Sequence, residues 1–307
     1  MTGSVAVVDV GSNSIKVLIA QRGDEGRIRA LGTKTLDVRI SAGISRETPR
    51  LSEDGMTRGL GAIQELLAYA ATFSPRQTVL VATSAVRDAE NGREFCQRVL
   101  TATGNAIRVL SGDEEANLIG RGLTCDPALD GLRDFYVFDL GGGSLECLAF
   151  QDRRVQQAVS LQLGCVRLTE TFVRVSADPV PFGVIAAIEK ITAITVQAHF
   201  KFNITGAAAV GTGGTITTAR AVLGARSGVS FDASSPVVKV TELRDLCDEL
   251  AGLSLADRQK IPGLPAARAD VFPVALATLV AVANAGGFHS YQHSLYNLRF
   301  GLAAEML

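Results

Sequence analysis

Two short apolar runs, VAVVDV (5–10) and IKVLIA (15–20), flank the small polar tetrapeptide GSNS. β-Favouring residues on both sides of such a break predict two strands joined by a turn. A further strand is expected near RIRALGTKTLDVRI (27–40). The period then lengthens, and apolar positions three and four apart in GMTRGLGAIQELLAYAAT (55–72) predict a helix. Next come a strand, TVLVAT (78–83), a helix near 85–103, a short strand, AIRVLS (106–111), and a helix near 113–122. A boundary then falls near 118–134, where TCDPALDGLRD (124–134) carries loop residues. Beyond it the order starts again: paired strands within FYVFDLGGGSLECLAF (135–150), a strand near 155–161, helices near 165–174 and 181–200, a strand GAAAVG (206–211) and a helix near 214–223. Strands followed by strand–helix alternation, twice over, predict an α/β chain with mixed sheets.

The two halves also agree residue by residue. VAVVDVGSNSIKVLIA (5–20) aligns with FYVFDLGGGSLECLAF (135–150), placing Asp9 with Asp139, Gly11 with Gly141, Ser14 with Ser144 and Lys16 with Glu146. A lone Asp-x-Gly turn is an ordinary hairpin connection. Its recurrence with strands, Asp and Ser in register predicts two related subdomains. Glycine lets backbone approach a ligand, and successive N–H groups donate to anionic oxygens. Both loops are therefore candidate phosphate cradles: Gly11, Ser12, Asn13 and Ser14 in one, Gly141, Gly142, Gly143 and Ser144 in the other. The opposite charges of Lys16 and Glu146 suggest that the first loop mainly binds and the second mainly supports chemistry.

Other segments add charge and glycine at strand ends. VGTGGTITTAR (210–220) opens a helix after a strand, so Gly211, Gly213, Gly214 and Thr215 form a candidate anion site with Thr212 or Thr215 as cap; a tight turn with no ligand is the plainer reading. In VATSAVRDAENGREF (81–95), Ser84 and Arg87 follow a strand end, where open α/β folds bind ligands. The plainer role for Arg87 is a solvated ion pair with Asp88 or Glu90. LSGDEEANLIG (110–120) starts a helix capped by Ser111 or Asp113, and Glu114 and Glu115 in its first turn suit the helix dipole without any catalytic role. Arg268 and Asp270 stand beside an Ala-rich apolar stretch, VFPVALATLVAVANAGGF (271–288). Pro273, Asn284 and Gly286-Gly287 interrupt that stretch, so a buried core helix fits it better than a membrane span.

Composition narrows the classes. The 307 residues are 47% hydrophobic and 20% charged, with a net charge of −1, which supports large cores and gives no electrostatic case for general nucleic-acid or membrane-surface binding. Cys96, Cys125, Cys147, Cys165 and Cys247 are scattered without metal spacing, so reduced thiols in a cytoplasmic protein are expected. The opening MTGSVAVVDV has no basic segment before its strand, which argues against a signal peptide. His199, His289 and His293 show no metal spacing.

DVGSNS, ATSAVRDAEN, SGDEEA, DLGGGSLE, GTGGT and GLPAARADV, in that order along nearly the whole chain, resemble the exopolyphosphatase/guanosine pentaphosphate phosphohydrolase (Ppx/GppA) family of the actin-like ATPase superfamily. The resemblance implies two ribonuclease-H-like domains around a cleft. Domain I would span 1–122, with a last helix near 294–307 packed back on it, and domain II would span 123–293. It further implies release of terminal phosphate from inorganic polyphosphate or guanosine penta- or tetraphosphate, with Mg²⁺ or Mn²⁺. Carried over by position, Glu115 matches the general base. Asp139 and Glu146 match acids that hold metal or orient water, with Asp9 a further metal ligand. The two Gly loops, Arg87 and Arg268 match phosphate contacts. A homodimer is the assembly to be tested, and no nucleic-acid or membrane partner is expected. A sugar-kinase-type phosphotransferase and a non-enzymatic nucleotide sensor stand as alternatives.

Overall fold

The computed structural model describes residues 3–23, 26–44, 48–173 and 179–307. Contacts divide the chain into two units, one running to Asp130 and resuming at Tyr296–Leu307, the other Gly131–Leu295. The break after Asp130 lies further along than the expected 122/123.

In the first unit the strands are β1 (Val5–Val10), β2 (Ser14–Arg22), β3 (Ile28–Asp37), β4 (Gln77–Ala82) and β5 (Ile107–Val109), in the order β3-β2-β1-β4-β5. β1 runs antiparallel to β2 and parallel to β4. The helices are α1 (Glu53–Ala71), α2 (Ser84–Asp88), α3 (Gly92–Thr103) and α4 (Gly112–Thr124). Strand alternation sends Ala6, Val8, Val10, Ile15, Val17 and Ile19 into one core with Ile63 and Leu66 of α1 and Phe95 and Val99 of α3. Asp9 lies on the other face of β1.

The single helix expected near 85–103 is two. Ala89 is extended (φ −76°, ψ 131°), and the Asn91 side chain both accepts from Leu51 N–H and donates to Leu51 O, each at 2.9 Å. Tertiary bonds to that amide override the helical pattern. The break leaves Arg87 at the end of a short helix, close to the strand that positions it.

The second unit contains β6 (Phe135–Leu140), β7 (Leu145–Gln151), β8 (Arg154–Leu161), α5 (Cys165–Phe172), α6 (Phe182–His199), β9 (Ala208–Thr212), α7 (Gly213–Arg226), β10 (Val237–Lys239), α8 (Val240–Gly252), α9 (Leu255–Arg258), α10 (Phe272–Gly286) and β11 (Ser290–His293). Residue 174, the expected end of the α5 segment, lies outside the described residues. The sheet order is β10-β11-β9-β6-β7-β8. The run β8-β7-β6-β9-β11 repeats the first sheet, and β10 adds an antiparallel edge strand. β10, α8 and α9 were not expected from the pattern, although Leu243, Leu246, Cys247 and Leu250 carry a helical spacing onto the core. α10 is buried from Phe272 to Ala283 and packs against α6 and α8, which accounts for its apolar composition. Among the described residues no helix is long and apolar enough to cross a membrane.

The chain then returns to the first unit as α11 (Leu298–Met306), which packs on α4 and β1. Two glycines set that crossing. A methyl on Gly122 would lie 2.0 Å from Asn297 O, and one on Gly301 would lie 1.9 Å from Leu118 O. The helix starts at 298, later than the expected 294, because the Asn297 side chain caps it by accepting from Arg299 N–H at 3.3 Å.

Candidate functional site

The repeat seen in the sequence is a repeat of backbone geometry. β1–β2 pairs Asp9 with Lys16 and Val10 with Ile15, while β6–β7 pairs Asp139 with Glu146 and Leu140 with Leu145. Each turn is closed in the same way, by Gly11 N–H to Ser14 O at 3.2 Å and by Gly141 N–H to Ser144 O at 3.0 Å.

In both loops a flanking segment takes up the carbonyls. Ser12 O accepts from the Ser41 hydroxyl at 3.0 Å and the Ser41 N–H at 3.3 Å, and Asn13 O accepts from Arg39 N–H at 2.9 Å. In the second loop Gly141 O accepts from Cys165 N–H at 3.0 Å and Gly142 O from Val166 N–H at 2.9 Å. Gly143 O accepts from Arg167 Nε at 3.0 Å. Gly164, just before α5, permits this approach, since a methyl there would sit 2.2 Å from Gly143 C. No described peptide bond is cis. In a trans peptide the N–H points opposite to the C=O. The N–H groups of Asn13 and Ser14, and those of Gly142, Gly143 and Ser144, therefore point away from the segments that hold the loops. Successive N–H groups with a common direction form an anion-binding concavity.

Side chains in the first unit complete the picture. The Ser12 and Ser84 hydroxyls are 3.0 Å apart, and Arg39 Nε donates to Asn13 Oδ1 at 3.0 Å. The Asn13 amide therefore braces the loop. Arg39 adopts φ 40°, in the left-handed region where a side chain costs about 1 kcal/mol. Sequence reasoning assigned no role to Arg39 or Ser41; of the three supporting residues only Ser84, at a strand end, carried a visible signal.

Glu114 and Glu115 have different fates. Glu114 is exposed and forms a capping box: Ser111 N–H donates to its Oε2 at 2.8 Å, and Glu114 N–H donates to Ser111 Oγ at 3.2 Å. The Ser111 N–H, then the Arg108 guanidinium, hold its carboxyl down at about 2. Glu115, one residue on, is turned inward. Its Oε2 accepts from Arg87 Nη1 at 2.9 Å, and the same nitrogen donates to Leu110 O at 3.1 Å. Arg87 Nε also lies 3.5 Å from Asp88 Oδ1, whereas Glu90 pairs with Arg50. The side chains of Arg87 and Glu115 are 21% and 9% exposed, so the pair is not a solvated surface bridge.

In the second unit Gly213 and Gly214 make room for charged neighbours. Gly213 has φ +82°, and a methyl on it would lie 2.0 Å from Asp139 Oδ1. One on Gly214 would lie 2.3 Å from Arg268 Nη1. Thr212 is the N-cap position of α7 but makes no side-chain cap, and the Thr215 hydroxyl donates to Leu140 O at 3.0 Å, so neither threonine caps the helix as expected. Gly211 lies within β9, paired with Phe138 and His293, so it belongs to the sheet and not to the loop. Asp139, the 141–144 loop, the start of α7 and Arg268 are thus gathered in one place. Glu146 is buried and accepts from the Ser160 hydroxyl at 2.7 Å.

The carboxylates differ in their fit to a divalent cation. Burial pushes the Asp9 carboxyl up from its usual 3.8, while Lys16 and Arg299 oppose that shift. Two cations beside one carboxylate leave little attraction for a metal. Asp139 and Glu146 are directly opposed on one face of an antiparallel pair, with Cβ atoms roughly 5 Å apart for such pairs. Two like charges so placed favour a cation between them. Among the described residues no three His, Cys, Asp or Glu side chains are grouped for a metal. Mg²⁺ fits that donor set, because it is held by one or two carboxylates and takes its remaining ligands from water and substrate phosphates.

Two units of one repeated topology, each with an Asp-x-Gly loop that directs N–H groups away from its support, define an actin-like ATPase fold of two ribonuclease-H-like units. Within that class the assignment is specific: residues 18–307 match the Ppx/GppA phosphatase family, and the chain belongs to it. Solved structures agree in fold. The Aquifex aeolicus Ppx/GppA family member is 24% identical with a TM-score of 0.78, over 100% of this chain and 98% of that one. An exopolyphosphatase-like protein is 23% identical with a TM-score of 0.89 over 99% and 98% of the two chains. A Cytophaga hutchinsonii exopolyphosphatase is 21% identical with a TM-score of 0.86 over 99% and 97%.

Proposed function

We propose that the protein is a phosphoanhydride hydrolase that releases terminal orthophosphate from inorganic polyphosphate, guanosine pentaphosphate or both by attack of water. The observation that carries this reading is the pair of Asp-x-Gly loops whose carbonyls are occupied and whose N–H groups share a direction. Membership of a phosphatase family agrees with it.

Each unit has a part. In the first, Glu115 accepts the proton of the attacking water and Arg87 holds its carboxylate in place. A proton acceptor fixed by a guanidinium needs no reorientation when water arrives. Lys16 and the N–H groups of Asn13 and Ser14 carry positive character toward phosphate oxygens. In the second unit the 141–144 loop and Arg268 bind phosphate; a guanidinium can grip two oxygens at once. Asp139 and Glu146 would hold Mg²⁺ or Mn²⁺, which when bound neutralises charge on the transferred phosphoryl group. Asp9 stays with Lys16 and Arg299. The five cysteines are free thiols, which supports a reducing compartment, the cytoplasm.

Phosphate release is the test, measured with excess Mg²⁺ on polyphosphates of several lengths, guanosine pentaphosphate, ATP and GTP, with no other acceptor present. Release from the first two classes well above that from ATP is expected. Release only after a hydroxyl acceptor is added would make the protein a phosphotransferase. Binding without release would make it a sensor.

A further inference from the structure

A buried hydrogen-bond chain in the second unit ends on the backbone that abuts Asp139. Arg220 on α7 donates from Nε to Ser234 Oγ at 2.9 Å and from Nη2 to Phe231 O at 3.0 Å and Ser234 O at 2.7 Å. Its Nη1 meets His293 Nδ1 at 3.2 Å, while His293 Nε2 meets Thr217 Oγ1 at 3.0 Å. The Thr217 hydroxyl donates to Gly213 O at 2.7 Å.

The direction of every bond follows from the donor inventory. Guanidinium has no acceptor, so Nδ1 must accept. A neutral imidazole then carries its proton on Nε2 and donates to Thr217, whose own proton goes to Gly213 O. These four partners of Arg220 are neutral, and a second cation on the ring would face it directly. In keeping with that, burial and then Arg220 hold the His293 value down at about 4. The chain thus runs one way, from Arg220 through His293 and Thr217 to the carbonyl of Gly213. Gly213 is the residue on which any methyl would overlap the Asp139 carboxylate.

We propose that His293 is a positioning residue for Asp139, acting through Thr217 and the Gly213 carbonyl to fix where the first turn of α7 meets that carboxylate. This rests on the reading of Asp139 as a carboxylate of the hydrolysis. His293→Leu removes both bonds. His293→Gln can keep their order, since its carbonyl can accept from Arg220 and its amide can donate to Thr217. Thr217→Val breaks the middle link and Thr217→Ser retains it.

The test uses the full chain, which has only three histidines to assign. Imidazole ¹⁵N shifts should show the Nε2–H tautomer of His293 at neutral pH; an Nδ1–H or doubly protonated ring would overturn the proposal. The Asp139 carboxyl ¹³C resonance, assigned with Asp139→Asn, should move in His293→Leu and Thr217→Val and stay in place in His293→Gln and Thr217→Ser. In phosphate release from tripolyphosphate, kcat should fall about 10–100-fold in the first two, the scale of a misplaced group, with KM little changed, and recover in the second two. An unmoved Asp139 resonance in His293→Leu and Thr217→Val would overturn the proposal, as would equal losses in the Leu and Gln variants. A parent that releases no phosphate from any substrate would refute the hydrolase reading alone, and the two resonance measurements would still decide the role of His293.

Discussion

Glu115→Gln separates a catalytic carboxylate from a structural one. The change keeps the side-chain shape and the acceptor facing Arg87 but removes the negative charge and the proton acceptor. Breaking a fully buried ion pair by removing one partner costs about 3–5 kcal/mol, and an exposed pair contributes about 0–1 kcal/mol. With side chains 21% and 9% exposed, and with Leu110 O and Asp88 still beside Arg87, the stability loss should fall between these, at about 1–2 kcal/mol. Loss of a general base should cost about 10²–10⁴-fold in kcat. Urea unfolding reads the first quantity and single-turnover phosphate release reads the second. Calorimetric binding of a non-turned-over polyphosphate should be preserved or slightly tighter, because one negative charge has left. Turnover within about threefold of the parent would refute the assignment and make Glu146 the next candidate. Loss of binding together with turnover would make Glu115 a ligand or a structural residue.

Three further outcomes are expected. Gly213→Ala places a methyl against Asp139 Oδ1 at a φ of +82°, so it should cost about 1–2 kcal/mol in urea unfolding from backbone strain alone and also lower phosphate release. Ser111→Ala removes the cap of α4 and should cost about 1 kcal/mol while leaving KM unchanged; because the Glu114 carboxyl is held down at about 2, its contribution is present above the usual 4.5 and fades as pH falls toward 2. Asp9→Asn should raise stability near neutral pH, since a carboxyl pushed up by burial penalises the folded state only above its unfolded value of 3.8; a gain that persisted unchanged well below that value would rule out burial of the charge as its source.

The parts of the fold legible in the sequence were those written in local pattern. Four-residue apolar runs leading into Asp, and the spacing from Asp9 to Lys16 and from Asp139 to Glu146, sufficed to place β1, β2, β6 and β7 and their turns. What stayed hidden was set by distant contacts. Asn91 breaks a helical pattern because its amide bonds to Leu51; the Asn91-Gly92 dipeptide is a turn signal, but the partner 40 residues away is not legible locally. Arg39 braces Asn13 from a left-handed backbone that arginine rarely adopts. Glu114 and Glu115 look interchangeable in sequence, yet the roughly 100° of helix rotation between them sends the first to Ser111 and the second to Arg87. The GTGGT glycines read as candidate phosphate contacts from sequence; that Gly213 and Gly214 also lie against Asp139 and Arg268 is visible only in the fold.

The two loops show which property the repeat preserves. Their supports are unrelated: residues 39–41, an irregular segment after a strand, hold the first loop, and the first turn of α5 holds the second. Their composition differs as well, Ser-Asn against Gly-Gly. Both supports nevertheless take the loop carbonyls and leave the N–H groups turned the other way. Unrelated scaffolds that impose one peptide orientation point to that orientation as the functional feature, because turn closure alone needs only the Gly-to-Ser bond that both loops already have. The charge opposite each Asp has diverged instead. Lys16 makes the Asp9 position nearly neutral, and Glu146 makes the Asp139 position doubly acidic. A polyanion meets no net repulsion at the first arrangement and is repelled by the second unless a cation comes with it. On this reasoning Lys16→Glu should impair substrate binding at any Mg²⁺ concentration, whereas Glu146→Gln should weaken the response to Mg²⁺. Identical metal titrations for the parent and Glu146→Gln would show that the acidic pair does not serve the cation.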